Sequence, residues 1–102
     1  MNAVAEPVNI GTLITRTPDI KANSPRICGT GVTVQRIVGW YKLGLNPEEI
    51  TRKIEHLHVR DAYAALAYYH ANPDEIEQLL AEEAREHDRL AAEFGCNRSP
   101  AA

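Results

Sequence analysis

Beyond Val34 the apolar residues recur with a helical period. Val34, Ile37, Val38 and Tyr41 fall at i, i+3, i+4 and i+7, one face of a helix, and Gly44 stands where a left-handed residue would end it. A first helix is therefore predicted from Val34 to about Leu43. Asn46-Pro47-Glu48-Glu49 follows, with an N-cap residue, a proline at the first helical position and two acids at the positive end of the dipole. Ile50 and Ile54 then share a face of a short second helix. Glu55-His56-Leu57-His58 breaks the pattern, and a third helix is predicted from Val59 to Ala71 on the spacing of Ala62, Leu66 and Tyr69. A second start signal, Asn72-Pro73-Asp74-Glu75, opens a last helix through about Phe94, which at 1.5 Å per residue is about 33 Å long.

The chain before Val34 reads differently. Residues 1–12 show no period and are expected to form a flexible arm. Leu13-Ile14-Thr15-Arg16 is a β-prone run closed by Thr17-Pro18-Asp19, and Arg26-Ile27-Cys28 is a second, separated from β-branched Val32-Thr33-Val34 by the turn Gly29-Thr30-Gly31. Strands this short need a partner edge, within the chain or across a dimer. The resulting division is an arm (1–12), a β-arm plus helical domain (13–71), a C-terminal helix (72–95) and a disordered tail (96–102).

The last helix has an unusual distribution of apolar residues. Ile76, Leu79 and Leu80 form a short stripe, after which only Leu90 and Phe94 return on a similar face among Glu82, Glu83, Arg85, Glu86, His87, Asp88 and Arg89. Its second half cannot bury much. Two readings apply: a solvated helix held by pairs such as Glu86 with Arg89, or a segment that docks on another chain through Ile76, Leu79, Leu80, Glu83, Leu90 and Phe94.

Charge sharpens that division. The 102 residues carry a formal net charge of −3, but residues 1–72 hold eight Lys and Arg against six Asp and Glu, whereas residues 73–102 hold three against eight. An acidic segment therefore follows a weakly basic body, which argues against a protein that binds nucleic acid by bulk charge alone. Hydrophobic residues at 44% and charged residues at 25% are ordinary for a soluble domain. Without a signal-like or membrane-length apolar run, and with only Cys28 and Cys96, the expectation is a cytoplasmic protein with unpaired thiols.

The second and third helices, separated by a tight turn, suggest a helix-turn-helix whose third helix is placed to enter a groove. That helix offers Arg60, Asp61, Tyr68 and His70 among alanines, a thin supply for base readout. The candidate DNA contacts are Arg60 and Tyr68, with Arg52 and Lys53 on phosphates. His56 and His58 lack a third ligand at zinc spacing, and no nucleophile–base pair or phosphate-cradling loop stands out, so neither a metal, a cofactor nor enzymatic activity is expected.

Several of these segments together resemble a known bacterial family. Ile14-Thr15-Arg16-Thr17-Pro18, Pro25-Arg26-Ile27-Cys28-Gly29-Thr30 with Val32 and Val34, Gly44-Leu45 with Pro47-Glu48-Glu49-Ile50, and Ala62 with Ala65-Leu66-Ala67-Tyr68-Tyr69 are similar to domain-of-unknown-function family 433. Gly31 departs from it, standing where that family has an arginine. The resemblance implies a mainly α fold, a homeodomain-like three-helix helix-turn-helix with a short N-terminal β-hairpin arm, here extended by the long C-terminal helix. It also implies an antitoxin of a type II toxin-antitoxin pair: a homodimer that neutralises a PIN-like ribonuclease toxin and represses the shared promoter by binding operator DNA. The alternative is an interaction protein with the same core and no DNA affinity.

Overall fold

Four helices carry the fold of the computed structural model, which describes residues 6–18 and 23–94. They are α1 (Val34–Lys42), α2 (Pro47–Lys53), α3 (Val59–Ala71) and α4 (Pro73–Glu93). Their ends follow the local chemistry. Thr33 accepts the Arg36 N–H at the start of α1. Gly44 ends the same helix with φ of +102°, a backbone state that a side chain would strain. At α2 the Asn46 side chain accepts the Glu49 N–H at 2.8 Å while the Glu49 carboxylate accepts the Asn46 N–H at 2.9 Å, a reciprocal cap.

Asn72 departs from the sequence reading. It was expected to cap α4, yet its side-chain amide donates to the Tyr68 carbonyl at 3.2 Å and makes no cap bond to α4. Asn72 is the single residue between α3 and α4, so it closes the helix behind it rather than the one ahead.

Two short strands, β1 (Ile14–Thr15) and β2 (Arg26–Ile27), pair antiparallel with Ile14 opposite Ile27 and Thr15 opposite Arg26. The chain turns through Gly29, and Thr33 then bridges back to Arg26. The edge that such short strands need is thus supplied within the chain. The strands are shorter than the expected runs 13–16 and 26–28. Arg26 braces their loop, donating to the Thr30 carbonyl at 2.9 Å and to Thr17 Oγ1 at 2.6 Å.

The arm differs from its expectation of flexibility through residue 12. A 3-10 turn spans Ile10–Thr12 because Asn9 accepts the Gly11 N–H at 2.9 Å and its carbonyl accepts the Thr12 hydroxyl at 2.7 Å. Residues 1–5 of the arm, the expected tail 96–102 with Cys96, and residues 19–22 lie outside the described residues.

The core joins all four helices to the strands: Ile27 and Val32 from the β-arm, Val34, Ile37 and Val38 from α1, Ile50 and Ile54 from α2, Leu57, Ala62, Ala65 and Leu66 around α3, and Ile76 from α4. α3 lies at the centre, packed on α1, α2 and α4. Its buried alanines let neighbouring backbones approach closely.

Candidate interaction surfaces

α4 is bound to the body along its first half only. Ile76 is fully buried, and Leu79 and Leu80 pack against the core beside it. Around this stripe three carboxylates are held by the body. Glu75 accepts from Arg16 and from the Tyr68 hydroxyl. Glu77 accepts from Lys42 at 2.6 Å and from the Tyr69 hydroxyl. Glu83 accepts from the buried Gln35 amide at 2.9 Å. The hydrogen bond from Lys42, helped by that from Tyr69, holds the Glu77 carboxyl below its ordinary range. At Glu75 burial pushes the other way, but the bonds from Arg16 and Tyr68 prevail and that carboxyl is lowered as well.

This placement changes the role expected of Ile76, Leu79 and Leu80. The docking reading gives them to a partner, but they belong to this chain's own core: Ile76 is buried in the cluster shared with α1 and α3, and Leu79 and Leu80 pack against it. Glu83 is half committed in the same way, to Gln35. Beyond it the helix runs about 15 Å further with every residue from Ala84 to Leu90 exposed. Leu90 is 39% and Phe94 69% exposed, four residues apart. Arg89 ties this segment together, donating to Glu86 at 2.6 Å and to Glu93 at 2.9 Å, the (i, i+3) pairing expected from the sequence and an added (i, i+4) pair. The projecting half is an amphipathic helix with no counterpart among the described residues.

The basic candidates fall into two places. Arg52 and Lys53 lie exposed at the C-terminal end of α2, with the Lys53 ammonium 5.8 Å from the centre of the Trp40 ring, a cation–π contact that fixes it beside α1. Arg60 opens α3, with its side chain 57% exposed and only a 3.8 Å approach to Asp61. Tyr68 does not join them. The sequence counts it among the DNA contacts of α3, but it is half-buried and clamped between Arg16, just past β1, and Glu75 of α4. Burial and the Glu75 carboxylate raise its phenol above the ordinary value, the Arg16 guanidinium only partly offsetting them.

The outward face of α3 is apolar. Val59, Tyr63, Ala64 and Ala67 line it, with Arg60 as its one charged residue, together with Val8 and Ile10 from the arm and Leu13 beside β1. No sequence period signals this surface, because Val8 and Ile10 come from the non-periodic arm; the local sign is the turn-forming Asn9-x-Gly11.

Between α2 and α3, His56 takes a left-handed backbone with φ of +65° and serves the turn. Among the described residues no three His, Cys, Asp or Glu side chains gather to hold a metal ion, and no helix is long and apolar enough to cross a membrane. Cys28 is free and exposed.

Residues 14–69 match the family described as "Protein of unknown function (DUF433)", a span that covers more than half of the chain. The chain belongs to the DUF433 family. A crystal structure of a DUF433 member protein from Anabaena variabilis is similar, with a TM-score of 0.64 and 28% sequence identity over 69% of each chain. No curated protein matches the chain. The DUF433 span begins at β1 and ends within the last turn of α3. It thus takes in the strands, α1, α2 and nearly all of α3, including Arg52, Lys53 and Arg60, and leaves out the 3-10 turn and the whole of α4. The second half of α4 is therefore separate from the DUF433 body in sequence as well as in space, whereas the root of α4 lies outside the span but packs into the body's core.

Proposed function

We propose that this DUF433 protein is the antitoxin of a type II toxin-antitoxin pair, and that α4 is the element that engages a PIN-like ribonuclease toxin. One observation carries the reading: the second half of α4 stands clear of the body, presenting Leu90 and Phe94 on a carboxylate-rich helix. A nuclease groove that receives RNA phosphates is basic, so an acidic helix with two apolar anchors is its complement in charge and supplies the desolvated contacts that dominate interface energies.

The test uses the full-length chain carrying Leu90→Asp and Phe94→Asp together, titrated calorimetrically against a PIN-like protein encoded beside its gene. The residues are exposed, so circular dichroism should be unchanged while affinity falls by about a hundredfold, or about 3 kcal/mol. Unchanged affinity rejects α4 as the toxin contact. Loss of all binding by the wild type rejects the pair itself.

The same protein would repress its promoter through Arg52 and Lys53 on phosphates, with Arg60 at the start of α3. A second reading, a dimeric interaction protein without DNA affinity, is favoured by the apolar outward face of α3, which offers few polar groups to base edges. A mobility-shift assay on the upstream DNA separates them: a salt-sensitive complex at micromolar protein supports repression, and its absence supports the second reading.

A further inference from the structure

The outward face of α3 and the 3-10 turn pose a question that neither core packing nor toxin binding answers. Ile10 is 74% exposed at the crest of a turn in which no residue is buried. The turn is nonetheless fixed, by the Asn9 cap and by the Leu13 carbonyl accepting the Cys28 N–H at 2.8 Å. A large apolar side chain is therefore held rigidly out into water.

Its surroundings are apolar as well. Val8 and Tyr63 are each 52% exposed and Val59 40%. With Ile10 they present an apolar area on the order of 400 Å², the size of the largest patch on a typical single domain, which is often functional. Two hollows adjoin the crest, one toward Ile14 and Tyr68 and the other toward Leu13 and Tyr63, and Ile10, Ala64 and Ala67 line both. One patch thus combines a ridge, Ile10, with depressions where two alanines leave room for a side chain of that size.

We propose that this face is the seam of a homodimer in which Ile10 of each copy enters the alanine-lined hollow of the other. A two-fold interface joins a patch to itself, so it needs a surface that is its own complement, and ridge and hollow on one face meet that need. Two patches facing each other remove about 800 Å² of apolar surface from water, and Thr15, Arg16 and Arg60, which line the hollows beside the apolar residues, extend the total toward the ~1,200–2,000 Å² of stable complexes. No carboxylate lines either hollow; the charged group in one is Arg16, already paired with Glu75, and in the other Arg60. The seam includes Ile14 and Thr15 of β1 but not the backbone pairing of β1 with β2, which is satisfied within the chain. It also covers the outward face of α3 with Arg60, so in the dimer repression would rest on Arg52 and Lys53 as phosphate contacts without Arg60.

Sedimentation equilibrium of the full-length chain at micromolar concentration tests this. The wild type should sediment at twice its 11.3 kDa mass. Ile10→Asp and, separately, Ala67→Glu place a charge on the ridge and in the hollow at exposed positions, and each should weaken the dimer by about tenfold or more with helix content and melting temperature of the monomer retained. Phe94→Asp, on the far end of α4, should leave the dimer intact. A monomeric wild type overturns the proposal, as does a dimer that survives Ile10→Asp and Ala67→Glu together, or one abolished by Phe94→Asp.

Discussion

Replacing Ile76 with alanine tests whether α4 is part of the folding unit or an appendage to it. Ile76 has no accessible surface and lies in the first turn of a helix joined to α3 through one residue. The substitution removes three carbons from the core, worth about 2.4 kcal/mol of transfer free energy at about 0.8 kcal/mol each. A cavity adds to this wherever the surroundings cannot close in. Here closure is resisted, because Arg16, Lys42 and Gln35 hold Glu75, Glu77 and Glu83 in place around the site. A loss of about 3–4 kcal/mol is therefore expected, a large part of the about 5–15 kcal/mol that stabilises a domain of this kind. Leu90→Ala, on the projecting half of the same helix, should cost less than about 0.5 kcal/mol. Urea unfolding followed by circular dichroism measures both, and the slope should stay constant while the midpoint falls for Ile76→Ala alone. A loss below about 1 kcal/mol for Ile76→Ala, or equal losses for the two variants, would refute the division of α4 into a root and a free half.

Other expectations follow from single contacts. Asn46→Ala removes the reciprocal cap of α2 and should cost about 1 kcal/mol by the same urea assay. Gly44→Ala meets no steric neighbour but must adopt φ of +102°, so it should destabilise by about 1–2 kcal/mol through backbone strain alone. Glu75 and Glu77 have folded pKa values below those of the unfolded chain, so their stabilisation is present above the unfolded value and disappears as pH falls through the folded one. Melting temperature should accordingly drop between about pH 5 and about pH 3, and less steeply in Glu77→Gln. If the upstream DNA is bound, Arg52→Ala with Lys53→Ala should reduce the slope of log affinity against log salt by about 2, read from mobility shifts at several salt concentrations.

Helices were legible where local chemistry decided them. The limits of α3, the reciprocal cap at Asn46 and the glycine stop at Gly44 all follow from a few neighbouring residues, and so does the inability of the second half of α4 to bury itself. What escaped was decided at long range. Asn46-Pro47-Glu48-Glu49 and Asn72-Pro73-Asp74-Glu75 look alike, yet Glu49 turns back to its own N-cap whereas Glu75, in the equivalent position, is drawn outward to Arg16 and Tyr68. Without a returning carboxylate, and with Tyr68 O within reach, Asn72 binds backward. Tyr68 was misplaced for the same reason: its partners lie on β-arm and α4 sequences that helical periodicity does not connect. Ile76, Leu79 and Leu80 form an apolar stripe whether they meet this chain or another, and only the long-range packing of α4 on α1 and α3 decides between the two. The apolar face around Ile10 joins a non-periodic arm to a helix of small residues, so no single segment displays it.

The junction at Asn72 also sets how this chain can vary in length. α3 and α4 meet with no spare residue, and the direction of α4 rests on the two dihedral angles of Asn72, φ −136° and ψ 57°. One inserted residue would rotate α4 by about 100° about its axis and advance it by about 1.5 Å. Ile76 would turn out of the core, and Glu75, Glu77 and Glu83 would leave Arg16, Lys42 and Gln35 together. Insertions and deletions should therefore be excluded at 72, whereas past Glu83 whole turns can be added or removed, changing the reach of the helix while the register of its root stays fixed.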